Sequence, residues 1–211
     1  MRVLVACECS NTVRDAFLAR GHDAYSCDVQ RADHPNLNWR RYICGDVRPL
    51  LREKWDLVIA HPPCTYLSVM TGWAFKSGMP SEESNPDRYA RLLRGVYFFV
   101  ECLSANASRI CVENPIPNAH ARKLMGDYTQ IIHPWEFGHP YTKKTCLWLY
   151  NLPPLVPTDI VQWTMYWVDA GQPGNNTRGR RSVKGMSKDQ KHRSKTFQGI
   201  ADAMAEQWGC L

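Results

Sequence analysis

A chain of 211 residues, 44% hydrophobic and 22% charged, with eight Trp and nine Tyr, suits one α/β domain with at most a small appendage. That composition excludes wholesale disorder, a fibrous repeat and a membrane-spanning chain, because no apolar run nears the roughly 18–20 residues a transmembrane helix needs. The net charge of +6 is concentrated: residues 178–195 hold eight basic side chains against one acid, and the remainder is close to neutral.

In chain order, residues 3–6 read as a short buried strand. A polar turn, Cys7-Glu8-Cys9-Ser10-Asn11-Thr12, leads into a helix through Val13, Ala16, Phe17 and Leu18 that Gly21 closes. Residues 24–27 form a second strand ending at Asp28, residues 42–44 run into Gly45-Asp46, and residues 56–60 stop at His61-Pro62-Pro63-Cys64. Asn85 and Pro86 open the clearest helix, whose apolar stripe runs through Tyr89, Leu92, Leu93, Val96, Phe99, Val100 and Leu103. Residues 109–112 form a strand ending at Glu113-Asn114-Pro115, and residues 129–132 and 145–149 complete the sheet. Residues 151–195 are rich in Pro and Gly and then basic, too irregular for core. Phe197, Ile200, Ala201 and Met204 mark a closing helix.

Alternating strands and helices imply a mostly parallel sheet, in which ligands bind at the carboxyl ends of strands. Glu8, Asp28, Asp46, Cys64 and Glu113 all fall at such ends, and that recurrence is the functional signal. The nine cysteines are odd in number and contain no CxxC pair, so neither a metal site nor a disulfide framework is expected. The opening apolar stretch is too brief for a signal peptide, which points to reduced thiols and a cytoplasmic protein.

Two motifs carry chemistry. Pro62-Pro63 fixes the backbone before Cys64, which makes that thiol a positioned nucleophile candidate; as an isolated feature it reads better as a buried thiol at a strand end, and Glu113-Asn114-Pro115 shifts the balance. Glu113, at the end of an apolar strand, is a candidate general acid whose pKa burial would raise. His61 could serve as a base near Cys64 or pack as a structural histidine. The cationic strip is the footprint of a polyanion partner or else a solvated loop. Trp163, Tyr166 and Trp167, just before it, suit stacking on unpaired bases or anchoring of the appendage.

In these motifs and their order, the sequence resembles the DNA cytosine carbon-5 methyltransferases over about residues 1–150, with a weaker match at 196–207. Pro63-Cys64 matches the family's nucleophile motif, with Ser68 where a serine is usual, and Glu113-Asn114 matches its Glu-Asn-Val motif with Pro115 in place of Val. The resemblance makes Asp28 the ribose ligand, Gly45-Asp46-Val47 the adenine contact, and Cys7 and Ser10 members of a cofactor loop that here lacks glycine. Lys143 falls on the first arginine of the family's Gln-x-Arg-x-Arg motif, Thr145 replaces the second, and Gly199-Ile200-Ala201 stands for the closing motif. The family's large target-recognition domain is replaced by residues 150–193.

The resemblance thus implies a Rossmann-like methyltransferase fold. Its catalytic part would be residues 1–150 and 196–211, and residues 151–195 a reduced basic insert. Cys64 and Glu113 would be catalytic. Cys7, Ser10, Asp28, Asp46 and Val47 would bind S-adenosylmethionine. Pro63, Ser68, Asn114, Lys143, Arg178, Arg180 and Arg181 would bind DNA, whose target base is flipped out or already single-stranded, and no metal is involved. Two other functions fit the residues: a non-catalytic nucleic-acid-binding module on the same fold, and an enzyme acting on free cytosine nucleotides. An amino-methyltransferase is disfavoured, because Cys64 stands where that chemistry needs an aromatic face.

Overall fold

A computed structural model of the chain describes residues 1–33, 38–69, 86–166 and 195–211. Four parallel strands form its centre: β1 (Arg2–Ala6), β2 (Asp23–Asp28), β4 (Trp55–Ala60) and β5 (Ala107–Pro115). β3 (Tyr42–Cys44) pairs parallel with β2, while β8 (Thr145–Tyr150) runs antiparallel to both β5 and β6 (Gln130–Ile132). The sheet order is β3-β2-β1-β4-β5-β8-β6. This is the α/β, mostly parallel, Rossmann-like architecture that the sequence predicts.

The apolar runs are continuous because both sheet faces are covered. Val3, Val5, Leu57, Ile59 and Cys111 pack with α1 (Thr12–Ala19) and the closing helix α5 (Gln198–Gly209), where Trp208 and Met204 are fully buried. Leu4, Ala6, Val58, Ala60, Ile110 and Val112 face the other way. They meet α2 (Arg48–Leu51), α3 (Pro86–Leu103) and α4 (Ala119–Met125) through Leu51, Leu92, Phe99 and Met125. α1 ends as its sequence predicts: Gly21 takes φ +80°, and the N–H groups of Gly21 and His22 donate to the Leu18 and Phe17 carbonyls.

Three boundaries differ from the sequence reading. β5 continues through Glu113, Asn114 and Pro115, which pair with Leu147, Cys146 and Thr145, so Glu113 lies within a strand and not past its end. α2 and α4 are additional, α4 being capped by Asn118, whose side chain accepts from Ala121 N–H at 2.9 Å. Residues 151–155 belong to the core: Leu152 and Leu155 are buried, and Gln130 holds the Leu155 backbone through two hydrogen bonds of 2.8 Å. Asn85 and most of the basic strip lie outside the described residues. Among the described residues, no helix is long and apolar enough to cross a membrane, and none of the nine cysteines is in a disulfide.

Candidate active site

The sheet order reverses between β1 and β4, and the loops leaving these two strands open a crevice at the carboxyl edge. The parallel ladder continues one residue beyond the strands there. Cys7 N–H donates to Cys27 O at 2.7 Å, His61 N–H to Ala6 O at 2.9 Å, and Gly45 N–H to Asp28 O at 2.9 Å. These bonds draw the residues after β1, β2, β3 and β4 into one rim.

After β4, the His61-Pro62-Pro63-Cys64 turn is fixed along its whole length. The Asn114 side-chain amide, fully buried on β5, donates to the Pro62 carbonyl at 3.2 Å. The Cys64 carbonyl accepts from Leu67 and Ser68 N–H at 3.0 and 3.1 Å, closing a helical turn behind the thiol. The following residues are stitched to the segment after β5, with Val69 N–H donating to Ile116 O and Asn118 N–H to Leu67 O; buried Ser68 bridges Pro117. Asn114 and Ser68 therefore work as ties for the thiol-bearing loop. Pro63 is exposed on it.

Glu113 points to the opposite sheet face from Asn114 and meets His61, with His61 Nδ1 and Glu113 Oε2 3.0 Å apart. The two side chains, 10% and 14% exposed, line a cavity of about 10 Å³, room for one water-sized group. Lys143, Thr145, Phe197 and Met204 complete its wall. Burial pushes the Glu113 carboxyl up, but the His61 hydrogen bond and the Lys143 and His61 charges outweigh it and hold it below the ordinary value. The raised pKa expected from burial alone is thus corrected: the neighbours reverse its sign. Glu8 is the contrary case. Burial raises it, and the lowering by His61 and by two backbone N–H groups does not compensate.

The remaining cofactor candidates group around the β1 exit. Cys7 (φ 59°) and Asn11 (φ 65°) occupy left-handed conformations, so the turn has glycine-like geometry without glycine. The carboxylate of Glu8 accepts Val13 N–H at 2.6 Å and Arg14 N–H at 3.3 Å, and Ser10 Oγ donates to it at 3.2 Å. Burial lifts the Cys7 thiol well above its usual value, with Asp28 and Asp46 among the charges adding to the rise. One oxygen of Asp28 accepts from Gln30 N–H at 2.8 Å. Asp46 is exposed and ion-pairs with Arg48, whereas Val47 is buried in the core against α2 and α3.

Arg178, Arg180 and Arg181 lie outside the described residues. β9 (Met165–Tyr166) pairs with β7 (Tyr141–Thr142) next to Lys143, and Lys195 pairs with Asp33 at 2.6 Å, which in turn bonds the Cys9 carbonyl. Sequence reasoning left the His61–Glu113 pair unrecognised; the available signal was a histidine one residue past β4 facing a glutamate on the adjacent strand. No group of three or more His, Cys, Asp or Glu able to hold a metal occurs among the described residues.

No family model and no curated protein matches this chain. Among solved structures it is similar to a prophage-encoded E. coli protein presumed to be a DNA modification methyltransferase. The likeness has a TM-score of 0.47 and 14% identity over 77% of this chain, which spans 52% of that protein.

Proposed function

We propose that this protein transfers a methyl group from S-adenosylmethionine to carbon 5 of cytosine in DNA, with Cys64 as nucleophile and Glu113 as general acid. One arrangement carries the reading. Two hydrogen bonds, Asn114 to Pro62 and His61 to Glu113, tie the Pro-Pro-Cys turn and the Glu-Asn strand into one frame at the switch point of the sheet.

The residues present fit the cofactor. A dinucleotide would need the N-terminal N–H groups of α1 for its pyrophosphate, and Glu8 already takes two of them. S-adenosylmethionine carries no phosphate, and Asp28 and Asp46 offer carboxylates beside Cys7 for hydroxyl and amino groups. When bound, it supplies the methyl group.

The chain's own residues do the rest. Carbon 5 of cytosine is a poor nucleophile until a group adds to carbon 6. Cys64 as thiolate forms that bond while Glu113 gives its proton to ring nitrogen 3, which relieves the ring of negative charge. Carbon 5 of the resulting enamine takes the methyl group. Loss of the carbon-5 proton then re-forms the double bond and expels the thiolate. An uncharged base seated beside Glu113 removes the remaining solvent and restores the carboxyl's affinity for the proton it must donate. The basic segment supplies phosphate contacts.

The test is incubation with S-adenosylmethionine and either DNA or cytidine nucleotides, with 5-methylcytosine read by mass spectrometry. Methylated DNA is the expected product. Methylated mononucleotide alone would favour the free-nucleotide enzyme, and neither product the binding module. DNA containing 5-fluorocytosine should trap a covalent adduct that Cys64→Ser abolishes.

A further inference from the structure

We propose that His61 is a positioning residue for the general acid: its Nδ1–H grips Glu113 Oε2, turning the other carboxyl oxygen toward the bound base and stabilising the carboxylate left after proton donation. The inference rests on the reading of Glu113 given above.

The geometry fixes the histidine on three sides. Its backbone N–H is tied to Ala6 O at 2.9 Å, and Pro62 follows it, so its backbone has little freedom. Its Nδ1 lies 3.0 Å from the glutamate oxygen, and a carboxylate there requires the proton on Nδ1. Its Nε2 is buried and has no hydrogen-bond partner among the described residues. Among the described residues, the ring's hydrogen bond is the one to Glu113.

The charged groups around the pair come from two segments. Glu8 faces His61 from the loop after β1, and Lys143 faces Glu113 from between β7 and β8. α5 adds Ile200 and Met204 to the wall and its N-cap residue Phe197 joins them, none of them titratable. In the reaction, the proton leaves Glu113 for ring nitrogen 3 while the His61 proton stays on Nδ1 and shortens its bond to the new carboxylate. A shift of about 1 Å in such a group costs on the order of 10²-fold in rate.

The experiment pairs kinetics with the titration of Glu113, followed by carbon-13 NMR of labelled glutamate carboxyls and assigned with Glu113→Gln. His61→Ala should lower kcat by about 10–100-fold with little change in KM, and move the Glu113 titration upward. His61→Asn, whose side-chain N–H can take the place of Nδ1–H, should restore both and stay folded if the alanine variant does not. An unmoved Glu113 titration in His61→Ala, or an unchanged kcat, overturns the proposal. A wild-type protein that forms no 5-methylcytosine overturns the cytosine reading instead. The titration identifies that case, because the His61–Glu113 coupling is read without turnover.

Discussion

Gly199 is the position where one added methyl group tests the packing of the site most sharply. A Cβ there would stand 2.0 Å from the Phe137 carbonyl oxygen and 3.0 Å from its carbon, backbone atoms that cannot swing aside. To reach ordinary contact, the first turn of α5 must move by about 1.4 Å, and overpacking of this kind costs about 1–3 kcal/mol. The Gly199 N–H also donates to His139 Nε2 at 3.0 Å, a bond worth about 0.5–1.5 kcal/mol that the shift would break. Gly199→Ala should therefore lose about 3 kcal/mol, which for a chain of this size lowers Tm by about 6–12 °C. Gly45→Ala is the control, because its Cβ would meet nothing within 4 Å. Circular-dichroism melts of the two variants beside wild type provide the measurement. Since Phe197, Ile200 and Met204 wall the His61–Glu113 cavity, methyl transfer should fall in the same variant well below its melting point. A Gly199→Ala protein that melts with the Gly45→Ala control would refute the packing argument.

Glu113→Gln should slow methyl transfer by about 10²-fold or more while leaving Cys64 trapping detectable on 5-fluorocytosine DNA. Asn114→Ala should cost about 1–3 kcal/mol in urea denaturation, because the Pro62 carbonyl loses a buried donor, and it should lower the yield of trapped adduct. Burial depresses the pKa of His22, His133 and His139, so the unfolded chain takes up protons first as pH falls. Stability should decline below about pH 6.5, and again below the ordinary carboxylate value of 4.5 as the depressed Glu113 is protonated; a melting temperature flat from pH 7 to 5 would contradict this. Neutralising Arg178, Arg180, Arg181 and Lys184 together should flatten the slope of log affinity against log salt on duplex DNA by up to about 3.6, and DNA affinity insensitive to salt would remove DNA as the ligand.

The parallel strands were legible because a sheet buried on both faces leaves uninterrupted apolar runs, as at Val3–Ala6 and Leu57–Ala60. The strand-end residues followed from the architecture. What the sequence could not show depends on partners far along the chain. α4 has only seven residues and is stabilised by Asn118 and by packing of Ala121 and Met125, so no long amphipathic stripe announces it. Residues 151–155 look like linker, yet Gln130 supplies their backbone partners and Trp208 Nε1–H donates to Pro153 O at 3.1 Å. The acidity of Glu113 depends on His61 and Lys143, 52 and 30 positions away in sequence. Burial, the one cause visible locally, pushes in the wrong direction.

The same reasoning explains how the loop after β1 dispenses with glycine. In a phosphate-binding loop, glycines let the ligand reach the exposed N–H groups of the following helix. Here that end of α1 is satisfied from within by Glu8, 4% exposed, so no anion needs to approach and side chains at Cys9 and Ser10 obstruct nothing. The left-handed turns at Cys7 and Asn11 are held by the Cys27 carbonyl and by Ser26 Oγ, which donates to Asn11 Oδ1 at 3.1 Å. Glu8 then has a second consequence. Its buried carboxyl is lowered by His61, as Glu113 is, yet the two acids are displaced in opposite directions, Glu8 toward the protonated form and Glu113 toward the ionised one. His61 lowers both carboxyls, so one histidine couples the loop after β1 to the strand that carries Glu113.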